Sequence, residues 1–106
     1  MPKYLYQVSY TQDGYKGLLK DGGTKRRQTV KALVEGLGGK LEVFEFAFGA
    51  DDAVLVMDLP DHVTASAIAL AVNASGGATG KLTVLVSPED VDRAQALRVG
   101  YTPPGR

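Results

Sequence analysis

Two adjacent carboxylates are the first candidates for chemistry in this chain. Asp51 and Asp52 follow Gly49 in the stretch FGADD, between two segments that alternate like strands. At the rim of a pocket they would accept a proton or bind a cation, although a hard cation takes about six oxygens. We favour the alternative, a simple turn, because glycine supplies a positive φ and aspartate hydrogen-bonds its own backbone in tight hairpins.

The only histidine, His62, follows two further acids in DLPDHVT. Together with Asp58 and Asp61 it suggests a metal site or an acid–base pair. Asp61 is also a good helix N-cap, and that role explains the segment and leaves His62 in an exposed first turn. No nucleophile-elbow motif accompanies Ser9 or Ser66, so the sequence supports no catalytic triad. We therefore assign no catalytic residue and no metal ligand.

A short basic run follows paired glycines in GGTKRR. Lys25, Arg26 and Arg27 fall in the first turn of a predicted helix, where each cation opposes the helix dipole by roughly a few tenths of a kcal/mol. A bound phosphate, a carboxylate or the acidic surface of a partner would offset that effect. We favour the alternative, a solvated turn balanced by Asp21 or Glu35.

The composition limits the class of protein. The chain has 106 residues, 44% of them hydrophobic, with twelve cationic and twelve acidic side chains and no cysteine. This length predicts one domain, residues 1–106. A formal charge of zero gives no field that attracts nucleic acid or anionic lipid, and the lack of cysteine excludes disulfides and thiolate sites. With no signal peptide and no membrane-length apolar run, we expect a cytoplasmic protein without a nucleic-acid partner, a membrane partner or a cofactor.

The hydrophobic pattern then predicts the elements that position these residues. Alternating segments at residues 3–11, 40–48, 53–59 and 81–87 indicate strands, and helical spacing indicates helices at 24–37 and after Asp61, each ended by paired glycines. A short helix precedes the first of these, and Ser87 with Pro88 starts a last one. The order is that of an α+β, ferredoxin-like split β-α-β-β-α-β fold, with a four-stranded antiparallel sheet, helices on one face and an added C-terminal helix.

The other face of that sheet is predicted to be apolar with a few polar groups. We take four of these groups as candidates for lining a small-molecule pocket: Gln7, Ser9, Glu45 and Asp58. A purely structural interface with satisfied polar contacts would give the same pattern. Because Leu5, Val43, Val54, Val56 and Leu85 would otherwise form one exposed patch, we expect a homodimer or larger, with the tail at 100–106 crossing the neighbouring subunit.

Several of these segments together resemble one family of proteins. KYLYQVSYT, GGTKRR, LGGKLEVFEFAFGADDAVLVMDLPD and ALAVNASG are similar to the GYD domain family of small bacterial and archaeal proteins. The resemblance implies a ferredoxin-like fold of the dimeric α/β-barrel type, and no well-established activity. The family's glycine and aspartate correspond to Gly49 and Asp52, whereas Asp51 stands where the family has tyrosine.

Three classes of function are consistent with these observations. We prefer a small-molecule-binding oligomer of the GYD type. The second is a small cofactor-free enzyme of the dimeric α/β-barrel kind, for oxygenation or isomerisation, with Asp58, Glu45 or His62 as the base. The third is an interaction or regulatory module that uses the GGTKRR turn. An enzyme of the second kind needs a carboxylate with a raised pKa in a cavity, whereas the third class needs an exposed cationic patch.

Overall fold

The computed structural model describes residues 1–106. Its strands are β1 (Lys3–Tyr10), β2 (Lys40–Phe46), β3 (Ala53–Asp58) and β4 (Ala78–Leu85). Its helices are α1 (Gln12–Asp21), α2 (Gly23–Gly36), α3 (His62–Ala74) and α4 (Pro88–Gln95). This order confirms the predicted ferredoxin-like arrangement with an added C-terminal helix.

The four strands form one antiparallel sheet in the order β2-β3-β1-β4. At its centre, Tyr6 on β1 lies opposite Leu55 on β3 and opposite Leu82 on β4. On the β2 edge, the register shifts between Leu41 and Val43. Because side chains alternate between the two faces of a strand, this register determines which residues share a face.

The helix-facing side of the sheet carries the core. Tyr4, Tyr6 and Met57 are almost fully buried there, and Val34 of α2 and Ile68 of α3 pack over the sheet. Each fully buried side chain of this size contributes about 1.5–3 kcal/mol. The remaining buried apolar residues complete the same cluster: Val8, Ala53, Leu55, Leu59, Ala65 and Ala78.

Side-chain caps begin three of the helices. Asp61 accepts a hydrogen bond from the Thr64 N–H at 2.8 Å, which confirms its predicted role at α3. Ser87 caps α4 in the same way. Between α1 and α2, Gly22 has a φ of 84°, a left-handed value that favours glycine.

Strand β4 begins at Ala78, three positions before the predicted start. Gly76, Gly77 and Gly80 look like strand breakers in the sequence. Gly80 instead makes room for a core side chain, because a Cβ at this position would lie 2.2 Å from the Tyr6 hydroxyl. The glycine therefore permits close packing inside a strand.

Residues 86–106, here called the C-terminal arm, extend away from the rest of the domain. No side chain of α4 is buried. The radius of gyration is 16.9 Å and the longest dimension is 57 Å, whereas a compact chain of this length has a radius of gyration of about 13 Å. The added helix therefore does not shield the sheet within one chain.

Candidate functional site

The sheet face opposite the helices, here called the open face, is arranged in rows across the strands. From β4 to β2, the central row holds Thr83, Leu5, Val56 and Val43. The row towards the β2–β3 hairpin holds Lys81, Gln7, Val54 and Glu45, and the row on the other side holds Leu85, Lys3, Asp58 and Lys40. A largely apolar belt therefore lies between two rows that carry charge.

Gln7 and Glu45 form no side-chain hydrogen bond or ion pair within the chain. They lie on either side of Val54, which pairs with both. Two strand spacings separate them by about 10 Å, too far for direct contact. These two pocket candidates are therefore free to bind a ligand or a partner.

Asp58, another pocket candidate, is already engaged. The Lys3 ammonium lies 2.8 Å from its carboxylate and 3.8 Å from Glu42. The hydrogen bond from Lys3 is the main reason that the pKa of Asp58 is lowered, and the same bond raises the pKa of Lys3. A base poised for catalysis near neutral pH needs the opposite shift. Asp58 thus behaves as an ionised member of a charged row.

Ser9 and Asp51 were separate candidates in the sequence, and the structure brings them together. The Ser9 hydroxyl donates to the Asp51 carboxylate at 3.2 Å, and the Lys81 ammonium lies 3.3 Å from the same oxygen. Asp51 is only 8% exposed. A buried carboxylate requires such partners, because desolvation disfavours its charge. This Ser9–Asp51–Lys81 cluster ties the hairpin to β1 and β4.

The side chain of Asp52 also forms a hydrogen bond outside its own turn. Its carboxylate accepts a hydrogen bond from the Tyr10 N–H at 2.8 Å. A further hydrogen bond with Asp52 raises the pKa of the Tyr15 hydroxyl. The expectation that these acids bond their own backbone is corrected here, since both carboxylates hold neighbouring elements in place.

The predicted role of Gly49 was wrong as well. The left-handed residue of the hairpin is Phe48, with a φ of 53°. A Cβ added at Gly49 would meet no atom within 4 Å. The reason is the hairpin register, in which the Ala47 N–H bonds the Asp52 carbonyl and Phe48 turns the chain immediately afterwards. Phe48 stacks on Phe46, with ring centroids 5.8 Å apart.

His62 lies in the exposed first turn of α3, as the sequence predicted. Its Nδ1 is hydrogen-bonded to the hydroxyl of Tyr4, and the two rings meet edge to face. Asp61 is occupied as the helix cap. No group of three or more histidine or acidic side chains is placed to hold a metal ion. The histidine contact anchors the start of α3 to the core.

A cleft on the helix side of the sheet was not predicted. Its outer part, about 380 Å³, lies among α1, α2 and α3. Its inner part, about 70 Å³, lies over the sheet between α2 and α3. Five residues line both parts: Tyr10, Arg26, Leu33, Val72 and Ala78. The shared lining makes one cleft that runs from the surface into the core.

The signal for this cleft is the small side chains of the elements around it. On α3, Ala71 lines the outer part, and its small side chain leaves space that a larger residue would fill. In α1, Gly17 lines the outer part and a Cβ there would meet nothing within 4 Å. As a result Leu33, part of the predicted apolar stripe of α2, is half exposed.

The three cations of the GGTKRR turn lie in different surroundings in the structure. Lys25 forms an ion pair with Asp21 at 3.6 Å, as predicted. Arg27 points to the opposite side, where Phe44 and Glu45 line a shallow surface depression. Arg26 forms no ion pair and lines both parts of the cleft. One of the three cations is therefore available to a ligand in the cleft.

Comparison with known proteins identifies the family. The model of the GYD domain matches residues 4–95, which covers most of the chain. No curated protein and no solved structure gave a significant match. None of the four helices has the length and the hydrophobicity needed to cross a membrane. The matched range includes all of the sheet except Lys3, the β2–β3 hairpin, and α4. The chain belongs to the GYD domain family.

Proposed function

We propose that this GYD domain protein is a small-molecule-binding homodimer, or larger homo-oligomer, joined through its open sheet faces. The observation that carries the proposal is the apolar belt across that face. In one chain neither a helix nor the C-terminal arm covers it. Two copies packed face to face would bury both belts around a twofold axis.

The exposed area supports association. One chain has a solvent-accessible surface of 7293 Å², whereas a compact monomer of its mass has about 5,700 Å². The excess is about 1,600 Å², about twice the 800 Å² that each partner buries in a standard interface. Part of it belongs to the open face and part to the arm.

The C-terminal arm supports the same conclusion. Leu97, Val99 and Tyr101 are highly exposed although they are large and apolar. An arm of this length reaches well beyond its own sheet, so a neighbouring copy is the natural surface for these side chains. We propose that the segment at 100–106 lies across the neighbouring subunit.

The pocket is proposed to lie between the two sheets. Gln7 and Glu45 would bind the ligand, because neither has a partner in its own chain and a buried polar group needs one. Ser9 and Asp58 would line the pocket while held by Asp51 and Lys3. Two free groups about 10 Å apart leave room for a small polar molecule.

A thermal-shift screen against phosphates, carboxylates and neutral aromatics tests this pocket. A ligand present at about 100 times its Kd adds roughly 2.7 kcal/mol to the stability of the native state. We expect a hit whose effect is lost in the double variant Gln7→Leu/Glu45→Gln and kept in Arg26→Gln, which alters only the helix-side cleft. A flat response across the library, or hits that survive the double variant, would contradict the interface pocket.

A further inference from the structure

We propose a second ligand site, independent of the oligomer interface: the cleft between α2, α3 and the sheet binds a small apolar monocarboxylate, whose carboxylate pairs with Arg26. The inner part, about 70 Å³, would hold the apolar tip of the ligand, and the rest of the apolar body and the carboxylate would lie in the outer part, about 380 Å³.

The lining of the inner part selects an apolar body. Twelve of its thirteen lining residues are hydrophobic, and Arg26 is the exception. Aromatic and aliphatic side chains form its walls, among them Phe44, Met57 and Ile68. Away from Arg26 and the Tyr6 hydroxyl, a polar or ionic group placed there would lose its water without gaining a partner.

Arg26 selects the charged end. It is the only cationic residue lining either part of the cleft, and it has no carboxylate within ion-pair distance. A guanidinium presents two parallel N–H donors that match a carboxylate, and such charge-assisted bonds strengthen next to an apolar wall. The helix that carries it has no side-chain cap and no acid in its first turn, and Asp21, which lies just before this helix, pairs with Lys25 and not with Arg26.

The same geometry disfavours a dianion such as a phosphate ester. Asp21 lines the outer part of the cleft together with Arg26. Its carboxylate pairs with Lys25 at 3.6 Å, which leaves one free cation at the cleft. The single guanidinium balances one negative charge, and the Asp21 carboxylate repels a second.

The chain itself does not satisfy every hydrogen-bonding group of the inner part, and the exception is the hydroxyl of Tyr6. The residue lines this part and is 2% exposed, yet its hydroxyl has no hydrogen-bond partner. Such groups are rare in native proteins, because an unmade buried hydrogen bond costs about 1–3 kcal/mol. A ligand that carries an oxygen at its apolar end would relieve that cost, so hydroxylated aromatic acids are the best candidates within the class.

Isothermal titration of the full chain with two acids and their neutral amides tests the proposal. The acids are 4-hydroxyphenylacetate and octanoate, and the controls are 4-hydroxyphenylacetamide and octanamide. We expect the acids to bind at least tenfold more tightly than the amides. Phenylacetate, which lacks the hydroxyl, is a further control, and we expect 4-hydroxyphenylacetate to bind more tightly than phenylacetate.

Two variants of neighbouring cations locate the site. Arg26→Gln is expected to weaken binding of the acids at least tenfold, whereas Arg27→Gln is expected to leave it within twofold, because Arg27 lies outside the cleft. Circular dichroism is the control that checks whether both variants are folded. The proposal is overturned if neither acid binds, if the amides bind as well as the acids, or if the two variants lose affinity equally. None of these outcomes depends on oligomeric state, which is measured separately.

Discussion

The Ser9 hydroxyl donates a hydrogen bond to the carboxylate of Asp51, which lies 42 positions later in the chain. This bond joins β1 to the β2–β3 hairpin, which contains Gly49 and Asp52. Lys81 adds a cation from the adjacent edge strand. The buried Asp51 carboxylate is therefore accommodated by a specific pair of partners, and the cluster has consequences that mutation can measure.

Asp51→Asn should destabilise the protein by about 1 kcal/mol, because the amide retains a hydrogen bond from Ser9 but loses the charge that Lys81 faces. Urea denaturation measures the change. The matched control is Asp92→Asn on α4, where the acid is exposed and forms no ion pair. Equal midpoints for the two variants would mean that the cluster does not stabilise the fold.

Gly80→Ala should destabilise the protein by about 1–3 kcal/mol through overpacking. The new methyl would meet the buried ring and hydroxyl of Tyr6, which cannot move away without disturbing the core. Gly17→Ala on α1 is the control, and it should stabilise the protein by about 0.5–1 kcal/mol, because the site is helical and open. Thermal unfolding should show a Tm below that of the parent chain for Gly80→Ala and a Tm above it for Gly17→Ala.

Acid should weaken the fold through Asp58. Its folded pKa lies below the ordinary value of 3.8, so its stabilising effect is present above that value and is lost as the pH falls through the folded pKa. Urea midpoints from about pH 5 to about pH 2 should therefore decline. Lys3→Met should flatten the decline, because Lys3 causes the shift. Lys16→Met, which removes an unpaired lysine, should leave the slope as in the parent chain.

Removing the C-terminal arm tests whether the arm stabilises the fold of one chain or the association between chains. A chain ending at Leu85 and the full chain, both carrying the substitution Val56→Glu, should have free energies of unfolding within about 0.5 kcal/mol of each other, because α4 has no buried side chain. In the background with Val56 intact, the same truncation should weaken self-association. If the truncated monomer fails to fold, as judged by circular dichroism, then the arm belongs to the core.

Much of the fold was predictable because local signals agree with one another. The strand alternation, the Asp61 and Ser87 caps and the paired glycines each identified an element, and all eight elements are present. The face assignment of β1 and β3 followed from strict alternation of side chains. The start of β4 was missed because Gly80 is a packing requirement of Tyr6, a contact between residues far apart in sequence.

The candidate site was less predictable, because it depends on which side chains meet across the fold. The alternation of side chains along the strands placed Gln7, Ser9, Glu45 and Asp58 on one face. It did not show that two of them are already bonded. The roles of Asp51 and Asp52 depended on register with β1, which a turn motif does not reveal. The outer part of the helix-side cleft is lined by small residues of α1 and α3, among them Gly17 and Ala71, and their effect is visible only when the helices are placed side by side.

Association through the open face is the central claim, and sedimentation equilibrium at micromolar concentration tests it directly. We predict a mass of at least twice 11.2 kDa for the parent chain. Val56→Glu, which places a charge between Leu5 and Val43 in the apolar belt, should return the mass to that of the monomer. Leu19→Glu, at an 85% exposed site on α1, should leave the oligomer intact. A parent chain that sediments as a single 11.2 kDa species would contradict the account, and so would an oligomer that Val56→Glu does not dissociate.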